Sequence, residues 1–399
     1  MTDVLVVDDS QFIRTVVGDA LEGAGCSVTT AASGERALEL VDSNDPDVIT
    51  MDVEMPGMSG IETVERIMSR TPTPILMLSA YTDDGAKATL DALERGALDV
   101  LQKPDGSGER NIGHLTDEVV EKVEQLSEAT VSTLALARAT AAVHATDRQR
   151  AASSASTPST SAGAVTAGAD TRAAGSTSRN RGSRSPPLEM DQPASIERAP
   201  TDHPLVIIGA STGGPRIIER IVATLPSALE ARVLIVQHMP GDFTGRLATR
   251  LDTVSDYAVT EATDGAPLEP GQVIVAKGGY HMRVVDGERG LEVRLDDGPR
   301  VHGVRPAIDV TMQTAAEVAD GPLCGLVLTG MGRDGARGID AIKTVGGHTI
   351  AQDEATSPVF GIPQQAIATG SVDEVVPASA LVERLVAACL SERTGESDE

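Results

Sequence analysis

Between Thr146 and Pro200 the chain runs through Ala, Ser, Thr, Gly and Pro with almost no large apolar side chain. A segment of that composition cannot bury enough surface to offset the entropy of ordering it, so it reads as a disordered linker. One core spanning all 399 residues is thereby excluded, and two separately folded units must flank the break. The apolar positions thin out through Leu134, Leu136 and Val143, which reads as a helix trailing off the first unit. Within the linker, Arg148, Arg150, Arg172, Arg179, Arg181 and Arg184 stand out in an acidic protein. A solvated tether and a weak docking arm for acidic neighbours both fit them.

The first unit alternates short apolar runs with helical spacing. Val4 to Val7, Ser27 to Ala31, Val48 to Met51, Ile75 to Leu78 and Asp99 to Leu101 read as strands, and helices fall near Phe12 to Leu21, Glu35 to Val41, Gly60 to Met68, Gly85 to Arg95 and from Leu115. Five such repeats make a doubly wound α/β sheet of parallel strands. What ends the strands is informative: Asp8, Asp9, Asp52, Ser79 and Lys103 all fall at carboxyl ends, so the sheet gathers them at one edge. Clustered carboxylates repel unless a cation shares the site, and a hard divalent ion such as Mg2+ answers that need.

VVDDS at Val6 to Ser10, MDVEMPGMSG at Met51 to Gly60, LSA at Leu78 to Ala80 and Lys103-Pro104 resemble the flavodoxin-like receiver domain of two-component response regulators. The resemblance spans residues 1 to about 125. It implies that Asp52 accepts a phosphoryl group, that Asp8, Asp9 and Asp52 hold Mg2+ with the carbonyl of Glu54, and that Ser79 and Lys103 contact the phosphoryl oxygens. Where receivers usually carry an aromatic, three residues before the lysine, this chain has Val100, so ordering of the loop after Ser79 is expected to carry more of the signal.

The second unit opens on PLVIIGASTGGP, Pro204 to Pro215: a buried strand, a glycine-rich bend with Ser211 in it, and an amphipathic helix through Ile217, Ile218, Ile221, Val222 and Leu225. Such a bend lifts a hydroxyl above the sheet and aims helix N–H groups at developing negative charge, yet the same shape also binds phosphate. Further strands at Val233 to Val236, Gly271 to Ala276 and Leu323 to Leu328, helices at Asp242 to Leu251, Ile308 to Val318 and up to about Val345, and a hairpin around Asp286 to Gly290 give a second doubly wound α/β unit. Three of its strands lead into Ser211, His238 and Asp334, the nucleophile, base and orienting carboxylate that acyl transfer requires. Asp334 reads equally as a helix cap when taken alone. His203, His281, His302 and His348 follow no central strand and read as surface or packing residues.

IGASTGGP, QHMP, GGYHM at Gly278 to Met282, RPAIDV at Arg305 to Val310, LTGMGRDGA at Leu328 to Ala336 and ATSPVFGIP at Ala355 to Pro363 resemble the catalytic domain of the CheB family of chemotaxis protein-glutamate methylesterases. The resemblance implies residues 1–125 as receiver, 126–203 as trailing helix and linker, 204–391 as methylesterase domain and 392–399 as an acidic tail. It further implies Ser211, His238 and Asp334 as the triad, the Met331 N–H in the oxyanion hole, and Thr212 and Gly213 lining the site. Expected partners are methyl-accepting chemoreceptors as substrate and a chemotaxis histidine kinase as phosphodonor. The esterase step is expected to need no cofactor. A catalytically silent receptor-binding adaptor is the rival expectation.

Lys and Arg number 33 against 59 Asp and Glu, a formal net charge of -26. That balance argues against nucleic acid as a partner and fits a salt-rich source, where screening removes self-repulsion. Cys26, Cys324 and Cys389 lack metal-ligand spacing and read as buried thiols of a reducing compartment. With no signal peptide and no spanning apolar run, a cytoplasmic protein without direct membrane insertion is expected.

Overall fold

The computed structural model describes residues 1–79, 88, 91–103, 109–127, 202–288 and 290–390. The start of the helix expected from Gly85, Pro104, the trailing helix beyond residue 127, the linker with its arginines and the tail 392–399 lie outside the described residues.

Strands β1 (Asp3–Val7), β2 (Ser27–Ala31), β3 (Val48–Asp52), β4 (Ile75–Ser79) and β5 (Asp99–Gln102) form a parallel sheet in the order β2-β1-β3-β4-β5. Every residue of β3 and β4 is buried, as expected for strands covered by helices on both faces. Helices Gln11–Gly23, Gly34–Asn44 and Gly60–Arg70 each start on a serine: Ser10, Ser33 and Ser59 accept from the N–H three residues ahead. Such a cap is worth about 1 kcal/mol, and it fixes where each helix starts. The last helix, Glu109–Ser127, begins earlier than Leu115 and buries Leu115, Val119, Val123 and Leu126. The order of strands reverses between β1 and β3, where a doubly wound sheet opens its ligand crevice. Asp8 and Asp9 follow β1 and Asp52 ends β3, so the acids stand at that crevice.

The C-terminal half holds β6 (Leu205–Ala210), β7 (Arg232–Gln237), β8 (Ala258–Glu261), β9 (Gln272–Val275), the hairpin β10 (His281–Gly287) and β11 (Gly290–Asp296), then β12 (Leu323–Val327), β13 (His348–Gln352) and β14 (Glu374–Val376). Seven of them make a parallel sheet in the order β14-β13-β12-β6-β7-β9-β8. Its switch point lies between β6 and β12, which brings the Ser211 bend beside the turn that carries Asp334. The hairpin buttresses helix Ile308–Val318: the Val284 N–H donates to Thr314 Oγ1 at 3.0 Å, and Thr311 Oγ1 donates to the Met282 carbonyl at 2.7 Å.

Strands β8, β13 and β14 and helices Gly361–Ala368 and Leu381–Leu390 have no counterpart in the sequence pattern. Strands β8 and β14 are short edges with one buried residue each, too brief to display a period. Strand β13 hides its burial behind polar residues, since Thr349 and Gln352 are fully buried and hydrogen-bonded.

The two halves meet at the bend after β6. The Gly213 N–H donates to the Leu98 carbonyl at 2.9 Å. Asp99 Oδ2 accepts from Thr212 Oγ1 and from Lys122 Nζ, both at 2.5 Å, and Lys122 also reaches Thr212 Oγ1 at 2.9 Å. Around this centre Arg216 donates to the Glu94 carbonyl at 2.9 Å, Arg250 pairs with the Glu94 carboxylate at 2.5 Å, and the Gln102 amide donates to Asp242 at 3.2 Å. Among the described residues no helix is long and apolar enough to cross a membrane.

Candidate active site

Ser211 sits one residue past the β6–β7 register, which ends at Ala210 opposite Gln237, so His238 is its neighbour at the strand ends. Ser211 itself is held through its backbone groups. The Ser211 N–H donates to the Thr329 carbonyl at 3.0 Å, and the Ser211 carbonyl accepts from the Gly214 N–H at 2.9 Å and the Gln237 amide at 2.8 Å. Gly213 has φ 78°, and a Cβ on it would meet Pro358 at 2.6 Å, so the left-handed turn and the tight space both require glycine. The Ser211 hydroxyl hydrogen-bonds to no described residue. Serine–base hydrogen bonds often close only once substrate is bound.

His238 Nε2 meets Asp334 Oδ2 at 2.8 Å, and the imidazole is only 10% exposed. With Nε2 engaged by the carboxylate, Nδ1 is the remaining ring nitrogen; in the Ser-His-Asp template the carboxylate takes Nδ1 instead. Asp334 is 2% exposed and is anchored at the start of helix Ile308–Val318, where Oδ2 accepts from the Ile308 N–H at 2.7 Å and Oδ1 from the Asp309 N–H at 2.9 Å. Burial alone would raise its pKa, but the hydrogen bond and charge of His238 together with those two N–H groups outweigh it and hold the carboxyl below its ordinary value. Asp334 therefore stays ionised against the ring.

Gly330 lies against the serine, where a Cβ would come within 2.6 Å of the Ser211 Cβ. The neighbouring Met331 N–H donates to no described residue, which leaves it free for an oxyanion. Beyond Met331 opens a cleft of about 740 Å³, also lined by His302, Arg333, Pro358, Phe360 and, from the N-terminal half, Gln125. The Thr212 hydroxyl is engaged in the contact with Asp99 and Lys122. Gly213 likewise gives its N–H to Leu98.

Three other histidines of the C-terminal half have partners of their own. His281 bonds the Pro299 carbonyl at 3.0 Å, His348 meets Glu374 at 3.0 Å and His203 meets Glu230 at 3.4 Å. His302 is different, because its Nε2 lies 2.8 Å from Asp309 Oδ2, a second imidazole–carboxylate pair beside the first. Sequence reasoning passed over Asp309, Asp99, Lys122 and Gln237. Asp309 stands inside the quoted RPAIDV, where an acid in a helix's first turn offers an ordinary capping explanation.

At the N-terminal sheet, Lys103 Nζ lies 2.7 Å from both Asp8 Oδ2 and Asp52 Oδ1. Ser79 is fully buried beside them, its carbonyl accepting the Lys103 N–H at 2.7 Å. Asp8, Asp9 and Asp52 each offer an oxygen within 4.8 Å of the others, a hard all-oxygen donor set that fits Mg2+. Glu54 is exposed in the loop after β3, with its backbone N–H bonded to the Asp52 carboxylate. Val100 is buried in the core.

Burial pushes the Asp52 carboxyl up to about 6 from 3.8, with Lys103 opposing and Asp8 adding to the rise. The folded protein then binds more protons than the unfolded chain between those two values, so Asp52 lowers stability as pH rises through that window. Asp52→Asn, which removes the charge, is expected to stabilise the N-terminal half on the order of 2 kcal/mol at pH 7 in chelator. Below about pH 4 the gain should vanish. Thermal melts at both pH values check this, and an Asp52→Asn protein that melts lower at pH 7 contradicts it.

Residues 206–385 match the family model described as CheB methylesterase, and residues 4–109 match the response regulator receiver domain. The chain is 46% identical over 391 residues to the protein-glutamate methylesterase/protein-glutamine glutaminase of Halobacterium salinarum, covering 96% of this chain and 98% of that one. It is 41% identical over 392 residues to the protein of the same name from Symbiobacterium thermophilum, with 96% of each chain covered. Among solved structures, the Thermotoga maritima CheB methylesterase catalytic domain is 40% identical, covering 47% of this chain and 99% of its own, with a TM-score of 0.45.

Proposed function

The chain belongs to the CheB methylesterase family, with a response regulator receiver domain ahead of the catalytic domain, and from that premise we propose that it hydrolyses glutamate γ-methyl esters on chemoreceptors through Ser211, His238 and Asp334. The observation that carries the reading is the 2.8 Å contact of His238 with Asp334 at the strand ends beside Ser211. Ser211 Oγ bonds to the ester carbonyl carbon as its proton passes to His238 Nδ1. The carbonyl oxygen gains the negative charge and accepts from the Met331 N–H. Collapse expels methanol, which takes the proton from Nδ1. Water then repeats the sequence on the acyl-enzyme, leaving a receptor glutamate and a free serine. A glutamine amide follows the same course with ammonia leaving, in keeping with the double name of the relatives.

Asp8, Asp9 and Asp52, with the Glu54 carbonyl, would hold Mg2+, which supplies charge neutralisation while Asp52 takes a phosphoryl group from a chemotaxis histidine kinase. Ser79 and Lys103 then contact the phosphoryl oxygens. Strand β5 joins this site to the serine bend: Asp99 at its start holds Thr212, and Lys103 follows its end. Phosphorylation draws on Lys103 and loosens that hold, so adaptation in the cytoplasm is coupled to the kinase.

In unphosphorylated full-length protein, Asp99→Ala is expected to raise basal methanol release about tenfold, the effect of removing one charge-assisted hydrogen bond from the contact. Asp52→Asn is expected to stay basal when phosphodonor is added. An Asp99→Ala rate equal to wild type would remove the coupling. Release of labelled methanol from methylated receptor membranes tests the whole reading, and its absence in wild type as in Ser211→Ala would leave the adaptor.

A further inference from the structure

Asp334 rides on a glycine-rich turn. Gly330, Gly332 and Gly335 all have positive φ, and such a glycine-rich stretch has many conformations to lose. Something outside the turn must fix the carboxylate, and the residue placed to do so is Asp309, which is 1% exposed. Its backbone N–H donates to Asp334 Oδ1 at 2.9 Å, while its own carboxylate oxygen Oδ1 accepts from the Gly335 N–H at 2.9 Å and the Gly338 N–H at 2.8 Å. The Asp309 backbone thus holds the Asp334 carboxylate, and the Asp309 carboxylate in turn holds the backbone just past Asp334, at Gly335 and Gly338. Asp309 sits in the first turn of its own helix, yet its side chain serves the start of the next one, Ala336–Thr344.

The remaining Asp309 oxygen meets His302 Nε2 at 2.8 Å, and Arg333 Nε lies 3.4 Å from His302 Nδ1. Because guanidinium only donates, Nδ1 is the acceptor and Nε2–H donates to Asp309. His302 is held at φ 54°, a left-handed backbone that a non-glycine residue adopts at a cost. Both carboxylates are already met by N–H donors, so the cluster is organised around protons rather than a metal ion. We infer that Asp309, steadied by His302, is a positioning residue that sets the Asp334 carboxylate against His238. The inference rests on the triad reading and adds to it a second imidazole–carboxylate pair that acts only through the first.

The test measures kcat and KM for methanol release from methylated receptor membranes with full-length Asp309→Asn, Asp334→Asn and the double variant. The expected result is a kcat about 10- to 100-fold lower for Asp309→Asn, the usual size for losing an outer partner of a catalytic group, with KM within about twofold. In the Asp334→Asn background the same change should cost less than about threefold, because residues acting as one unit do not add. Multiplying effects, or an unchanged kcat, overturn the inference. Should Asp309→Asn fail to fold, His302→Ala stands in; it keeps these backbone contacts, and its loss of kcat should likewise vanish in the Asp334→Asn background. Should wild type release no methanol, the triad reading fails by itself. The proton resonance of His238 Nε2–H then decides: movement in Asp309→Asn upholds the positioning role, and an unmoved resonance overturns it.

Discussion

Ser211→Ala is expected to cut methanol release about a million-fold while leaving the fold in place, the loss seen when the nucleophile of a serine triad is removed. The separation of the two effects follows from the bend. Every hydrogen bond that holds Ser211 is made by its N–H or its carbonyl, to Thr329, Gly214 and Gln237, and none by Oγ. Deleting the hydroxyl therefore leaves no buried group without a partner. The variant should stay within about 0.5 kcal/mol of wild type, a melting shift of roughly 1–2 °C. Labelled-methanol release and a thermal melt on the same preparation check both halves. A variant that lost activity only because it melted early would assign Ser211 to structure.

Asp334→Asn is expected to lower kcat about ten-thousand-fold, the cost of presenting the base in the wrong tautomer. The carboxylate accepts a hydrogen bond from the His238 Nε2–H and so keeps Nδ1 bare for the serine. An asparagine that keeps its oxygen on the Asp309 N–H turns its NH2 toward the ring and leaves the Ile308 N–H without its acceptor. Nε2 must then accept, which places the proton on Nδ1 and disables the base. The change also costs about 1–3 kcal/mol, since an acceptor for buried N–H groups is weakened. Because the folded carboxyl lies below its ordinary value, Asp334 contributes stability above the unfolded pKa and loses it as pH falls through the folded one. The melting gap between wild type and variant should therefore close in acid. A gap that widened in acid would place the carboxyl's pKa above the ordinary value.

The first sheet and the central strands of the second were legible because their strands end in residues that turns alone do not explain: Asp8, Asp9, Asp52, Ser79 and Lys103 in one, Ser211, His238 and Asp334 in the other. A parallel sheet sends all such ends to one edge, so chain order plus the strand pattern predicts their meeting. Direction within the edge was not legible. Which ring nitrogen of His238 takes Asp334 depends on the path of the chain through the glycine turn, and no spacing encodes it. The contact between halves was hidden for a similar reason, since Asp99 and Lys122 read as strand and helix polar residues until folding brings Thr212 between them. His302 read as a surface or packing residue because its partner, Asp309, lies beyond a turn and already has a capping explanation.

The reading stands or falls on a covalent bond to one serine. Rapid acid quench of the full-length enzyme turning over a receptor fragment that carries a glutamate methyl ester, followed by digestion and mass measurement of the peptide containing Ser211, looks for that bond. The expected result is acyl mass on Ser211 in wild type and none in Ser211→Ala. Steady methanol release with no acyl mass on that peptide, undiminished when Ser211 is alanine, would contradict the account.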